Sequence, residues 1–180
     1  MRRTVWSATG LFVTLIVLTG VGPSAGQKIP LEQVPREVPK AVLDAVKAKY
    51  PGAEITSASK ETADGKTSYE VYMKRNGKGL DVTFAPTGAV EVVEQEIDAK
   101  DLPPAVRAAV DRKYPKVTFT KVEEISKMKD GKLAVDIYEL LFTTTDKKTI
   151  EMTIAPDGKV NSDTEKTPKA GDKGKGKGGP

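Results

Sequence analysis

Two stretches of the chain, VPKAVLDAVKAKYP at Val38–Pro51 and LPPAVRAAVDRKYP at Leu102–Pro115, are versions of one sequence. In both, apolar residues recur at positions i, i+3 and i+4, as on one face of an α-helix. A proline suits the first helical turn of each stretch, and a second proline ends it. Each stretch therefore predicts a helix of about 12 residues, which is marginal alone and needs a sheet to cover.

Short segments with strand alternation follow each helix. Turn-forming pairs such as Asn76-Gly77 and Asp130-Gly131 separate them, which favours antiparallel meanders. The predicted strands are 54–61, 68–74, 80–85 and 89–97 after the first helix, and 117–126, 133–142, 149–155 and 159–162 after the second. The sequence therefore predicts an α+β fold of two tandem units, each one helix plus a four-stranded antiparallel meander, with the helices packed on one face of a curved sheet.

The two ends of the chain differ from its body. Two arginines, an apolar stretch at 11–21 and small residues at 24–26 are typical of a signal peptide cleaved near Gly26. A retained membrane anchor is the alternative, but it needs about 20 apolar residues, and threonines and glycines interrupt this run. The C-terminal segment is rich in lysine and glycine, which predicts disorder. The predicted division is 1–26 signal peptide, 27–97 first unit, 98–163 second unit and 164–180 disordered tail, in a periplasmic or secreted protein.

The chain contains neither cysteine nor histidine. Thiolate and imidazole catalysis, and metal sites built from these side chains, are therefore excluded. Carboxylate pairs such as Glu94 with Glu96 or Glu123 with Glu124 could serve as acid and base, but they are more typical of solvated strand edges. The charge of the body is nearly balanced once the terminal segments are set aside, which argues against nucleic-acid binding. We predict a protein that is not an enzyme and has no cofactor and no metal site.

Strand alternation also predicts which side chains lie away from the helices. It turns Tyr69, Val71 and Met73 toward the first helix, and Val135 and Ile137 toward the second. Aromatic residues on an uncovered face are typical of protein interfaces. The residues predicted to bind a partner on that face are Glu70, Tyr72, Lys74, Asp136, Tyr138, Leu140 and Phe142. The alternative is that the rings only stack across strands, or that dimerisation covers them.

The repeated helix is followed by tyrosine-bearing segments SYEVYM (68–73) and AVDIYE (134–139), and then by DVTFAPTG (81–88) and EMTIAPDG (151–158). In these features the chain resembles the PepSY-like domains, which are grouped with the beta-lactamase-inhibitor-protein fold, over about residues 29–163. The resemblance implies tandem units forming a curved sheet, with helices on the convex side and a concave face that grips an enzyme in the inhibitor proteins. This chain departs from the inhibitor because it has no disulfides.

These observations predict an exported, non-enzymatic protein-binding module. The resemblance implies that this binding inhibits an exported hydrolase of protease or beta-lactamase type. The alternative is a structural or solute-interacting envelope protein whose basic tail attracts anionic polymers. The expected partner is an exported protein of unknown identity, with no nucleic acid and no stable membrane insertion after signal cleavage.

Overall fold

A single antiparallel sheet of nine strands runs through residues 27–166, the part of the chain that this computed structural model describes. The spatial order of the strands follows the sequence, so each strand pairs with the one before it and the one after it. The strands are β1 (Gln27–Ile29), β2 (Glu54–Ala63), β3 (Lys66–Arg75), β4 (Lys78–Phe84), β5 (Val90–Glu96), β6 (Thr118–Lys129), β7 (Lys132–Thr143), β8 (Thr149–Ile154) and β9 (Val160–Lys166).

Three α-helices and one short 3-10 helix connect these strands. They are α1 (Val34–Glu37), α2 (Lys40–Lys49), the 3-10 helix (Ala99–Asp101) and α3 (Pro104–Lys113). The two helices predicted from the repeated sequence are confirmed as α2 and α3, and the eight predicted strands lie where the alternation placed them. Within residues 27–166, none of the helices combines the length and the apolar character needed to cross a membrane.

The predicted fold class is wrong in how it groups these elements. The chain does not form two units of one helix and a four-stranded meander; β5 pairs directly with β6, with Val92 opposite Lys127 and Glu96 opposite Glu123. A ninth strand, β1, adds to the edge of β2. Turn signals reveal pairing between neighbours in a hairpin, whereas β5 and β6 are joined through a helix and leave no such signal. The predicted signal peptide and most of the predicted tail lie outside the described residues.

Two apolar clusters hold the helices against the sheet. Val42 and Val46 of α2 belong to a cluster with Phe84, and Val106 and Val110 of α3 belong to a second cluster. Residues on the helix side of the sheet lie in register from one cluster to the other: Ala58, Val71, Val82, Val93, Ser126 and Val135 succeed one another. Because directly paired residues share a face, both helices lie on the same side of the sheet.

A bulge in β7 overturns part of the predicted face assignment. Ile125 lies opposite Ile137 but Ser126 lies opposite Val135, so Asp136 is an extra residue in β7. An extra residue reverses the alternation beyond it. Ile137 therefore lies on the open side, and the prediction that it faces the helix is wrong. Tyr138, Leu140 and Phe142 point toward α3 and are buried in its cluster, and the prediction that these three lie on the open side is also wrong.

Two glycines allow the turns after β4 and β8 to approach the helices. Gly88 has a φ of +83°, and a Cβ added there would lie 2.5 Å from the carbonyl oxygen of Ala41 in α2. Gly158 has the same relation to Ala105 in α3, at 2.6 Å. The turn after β4 therefore packs directly on the first turn of α2, and the turn after β8 packs directly on the first turn of α3.

We expect Gly88→Ala to lower the free energy of unfolding by roughly 3 kcal/mol. About 1 kcal/mol comes from a side chain in the left-handed region and the remainder from overlap with the helix backbone. Gly65→Ala is the matched control, since Gly65 has a φ of +73° but nothing within 4 Å of an added Cβ. Urea denaturation of both variants measures the difference; equal losses would contradict the contact between turn and helix.

Candidate binding face

The side of the sheet away from the helices, here called the open face, is not covered by any part of residues 27–166. Each of the six strands from β3 to β8 contributes at least one acidic side chain to it. Direct cross-strand pairs fix their placement, since Asp81 lies opposite Glu94 and Glu123 lies opposite Glu139. One acidic residue from each of these strands forms the set called the carboxylate row, namely Glu70, Asp81, Glu94, Glu123, Glu139 and Glu151. A second acidic residue of β5, Glu96, lies opposite Glu123 and accepts a hydrogen bond from the backbone of Gly79.

Half of the row is buried although no helix lies over it. Glu123 is 5% exposed, Glu151 6% and Glu139 8%. Neighbouring side chains on the same face are buried with them, among them Ile125 and Thr153. The side chains of this face therefore shield one another from water, which is costly for carboxylates unless they are paired or protonated.

Two lysines neutralise part of the row. Lys121 Nζ lies 2.7 Å from Glu123 Oε1, and Lys166 Nζ lies 2.7 Å from Glu151 Oε1. Glu139 lies between these two pairs and has neither a hydrogen-bond donor nor a cation as partner within residues 27–166. The row is therefore short of positive charge at its centre.

This environment raises the pKa values of Asp81, Glu94 and Glu139 in the row. Burial, reinforced by the charges of Glu70 and Glu123, raises the pKa of Asp81 to about 7 and that of Glu94 to about 8. Burial, together with the charges of Glu151 and Glu123, raises the pKa of Glu139 to about 7. These groups gain or lose protons near neutral pH and favour any cation that can reach them.

The end of the row at β3 is held by hydrogen bonds. The Tyr72 hydroxyl donates to Glu70 Oε2, and Ser59 Oγ lies 3.4 Å from the same carboxylate oxygen. Burial raises the pKa of Glu70, and the two hydrogen bonds lower it in part. Burial, followed by the hydrogen bond to Glu70, raises the pKa of Tyr72. The tyrosine ring is thus fixed beside the first carboxylate of the row.

The predicted site residues divide between the two faces. Glu70 and Tyr72 lie on the open face as predicted, and the exposed Lys74 follows them along β3. Asp136, the extra residue of the bulge, pairs with Lys127 and Lys129, whose hydrogen bonds lower its pKa.

The other three predicted site residues are core residues on the helix side. There the Tyr138 hydroxyl donates to Glu124 Oε2 at 3.0 Å, and burial raises the pKa of Tyr138 to about 12. Leu140 and Phe142 are fully buried. That the correctly placed residues bind a partner stays a prediction.

Sequence reasoning singled out Glu94 and Glu123 but assigned them to separate pairs. It missed Asp81, Glu139 and Glu151, although strand alternation already separates Asp81 and Glu151 from the apolar residues of their segments. What was lacking was the β5–β6 pairing, which brings the carboxylates of both halves of the sheet together. No group of three or more acidic side chains within residues 27–166 is arranged so that it could hold a metal ion.

Comparison with known families matches this architecture to one of them. The family model described as "Putative beta-lactamase-inhibitor-like, PepSY-like" matches residues 26–90 and again 67–161. The chain belongs to this PepSY-like family. The resemblance drawn from the repeated helix and the tyrosine-bearing strands is thereby confirmed.

Solved structures share the fold at low sequence identity. The crystal structure of a "putative periplasmic" protein from Bacteroides eggerthii aligns with a TM-score of 0.55 and 17% identity over 71% of this chain and 88% of that one. A DUF2874 family protein from Bacteroides uniformis aligns with a TM-score of 0.53 and 17% identity over the same shares. A BLIP-like protein from Bacteroides fragilis aligns with a TM-score of 0.49 and 20% identity, over 72% of this chain and 86% of that one. No protein of curated function matches the chain.

The carboxylate row makes stability depend on pH. Since the folded-state pKa values of Glu94 and Glu139 are raised, their contribution to stability is full below the unfolded value of about 4 and is lost as the pH rises through about 7 to 8. We expect Glu94→Gln to stabilise the protein by roughly 4 kcal/mol at pH 8.5 and by only about 1 kcal/mol at pH 5.

Thermal or urea denaturation at the two pH values measures this difference. Glu37→Gln, which removes an exposed carboxylate from α1, is the control and should change stability little at either pH. A gain from Glu94→Gln of equal size at both pH values would contradict the raised pKa.

Proposed function

We propose that the protein is an exported, non-enzymatic binding module of the bacterial cell envelope that holds a protein partner against the open face of its sheet. The observation that carries this proposal is the uncovered face itself. It spans the whole sheet and concentrates carboxylates that lack cationic partners. A partner that presents lysine or arginine side chains would supply the positive charge that the row lacks.

Three further observations support the proposal of an exported, non-enzymatic protein. The N-terminal segment has the composition of a signal peptide. The chain belongs to a family described as "beta-lactamase-inhibitor-like", and one structure of the same fold is described as "putative periplasmic". The absence of histidine and cysteine from the sequence removes the commonest catalytic side chains. An exported hydrolase is therefore the first kind of partner to test.

The open face offers apolar contacts beside the charges. Tyr72 lies at one end of the row, and Ile137 and Leu141 lie on β7 on either side of Glu139. All three are partly exposed. Such a mixture of an aromatic ring, aliphatic groups and charge is what a protein interface uses.

We expect the double variant Tyr72→Ser/Leu141→Ser to lose binding to an exported partner by at least tenfold while remaining folded. Binding is measured by calorimetry against purified beta-lactamases and exported proteases, and against any protein captured from the exported fraction. Circular dichroism confirms folding. The matched control is Met128→Ser/Leu133→Ser, which removes two exposed apolar side chains at the tip of the β6–β7 hairpin, away from the row.

The outcomes separate the proposal from its alternative. A partner that is lost with the open-face variant and kept with the control supports the proposal. Binding of the same partner at unchanged affinity by the open-face variant would contradict it. Retention on an anionic polymer such as heparin that depends only on the lysines after residue 166 would favour the structural, polyanion-attracting role instead.

A further inference from the structure

The last described residue of the chain already contacts the carboxylate row. Lys166, at the end of β9, places its ammonium group 2.7 Å from Glu151 at the near end of the row, and its side chain is only 21% exposed. The chain continues for fourteen residues, TPKAGDKGKGKGGP, which contain four more lysines and one aspartate. These residues therefore start beside the row and carry the charge opposite to it.

Some carboxylates of the row have no positively charged partner within the described residues. Glu139 is more than nine-tenths buried and unpaired within the described residues, one strand away from the Glu151–Lys166 pair. Glu94 lies two strands further and has no cationic partner there either. An unpaired buried carboxylate that faces an open surface is stabilised strongly by a cation that approaches it.

The length of the remaining chain fits the length of the row. Five strand spacings separate Glu151 on β8 from Glu70 on β3, which is about 24 Å. Lys169 lies three residues beyond Lys166 and reaches at most about 10 Å, and Lys177 lies eleven residues beyond it and reaches at most about 36 Å. The lysines can therefore reach every carboxylate from Glu139 to Glu70.

The spacing of the last three lysines suits an extended segment. Lys173, Lys175 and Lys177 alternate with glycines. In an extended chain, alternate residues point to the same side, so three ammonium groups would face the sheet together. The intervening glycines have no side chain that would hold the backbone away from it.

We propose that residues 167–180 lie across the carboxylate row of their own molecule and that their lysines pair with its unpaired carboxylates. The segment then occupies the open face until another cationic surface displaces it. The inference concerns the chain alone and does not depend on the existence of a protein partner.

The absence of cysteine allows a direct test by a single spin label. Gly174→Cys, between two tail lysines, provides a unique attachment site on the full chain. We expect the label to broaden the backbone amide signals of β4 and β5, four to five strands away from β9, and to leave those of α2 unaffected. The broadening should disappear when Lys169, Lys173, Lys175 and Lys177 are replaced by glutamine, and in about 1 M salt, where the screening length falls to about 3 Å. It should persist when the same four residues are replaced by arginine.

Other results would overturn the proposal. Broadening of β4 and β5 that is unchanged by the glutamine replacements would show that charge pairing is not its cause, and no broadening would show that the segment does not lie there. A mixture of spin-labelled unenriched protein with unlabelled isotope-enriched protein tests for a second copy, and broadening in that mixture would contradict an intramolecular contact. The measurement uses the purified chain alone, so its outcome does not depend on whether an exported partner exists.

Discussion

The rest of the structure depends on the pairing of β5 with β6. Its backbone hydrogen bonds join strands that flank the connecting segment with α3, and they turn what would be two small sheets into one. Without it, each half of the chain would expose an additional strand edge to solvent and to other chains. With it, α2 and α3 cover one face together, and the opposite face becomes continuous from β1 to β9. The pairing also sets Glu96 of β5 opposite Glu123 of β6, so the acidic residues of the two halves become neighbours.

The carboxylates of the open face lower the stability of the fold. Six carboxylates on adjacent strands repel one another, and burial of three of them removes the water that would weaken this repulsion. Lys121 and Lys166 offset part of the cost by pairing with Glu123 and Glu151. An apolar or neutral face would be easier to fold, so the arrangement is more readily explained by binding than by stability. Cations of the proposed partner and those of the C-terminal segment in the proposed contact would lower the same repulsion and would therefore compete for the same groups.

The sequence predicts the local elements well and their combination less well. The Val, Ala and Val spacing of the repeated stretch was sufficient to place α2 and α3, because apolar residues at i, i+3 and i+4 share one face of a helix but not one face of a strand. Alternation correctly placed Tyr72 on the open face, but the same rule failed for Tyr138, Leu140 and Phe142, because the bulge at Asp136 has no glycine or proline to signal it. The carboxylate row could not be predicted, because its members are spread from Glu70 to Glu151 and become neighbours only through the β5–β6 pairing.

Site-resolved titration of the carboxyl carbons by NMR tests the central claim that the acidic residues of both halves form one electrostatic group. The titration uses protein in which the four lysines of 167–180 are replaced by glutamine, so that none of them can pair with the carboxylate row. Because the charge of Glu123 on β6 helps to raise the pKa values of Asp81 on β4 and Glu94 on β5, Glu123→Gln should lower both of them. Titration of Asp81 and Glu94 near about 4, or pKa values that do not respond to Glu123→Gln, would contradict the account.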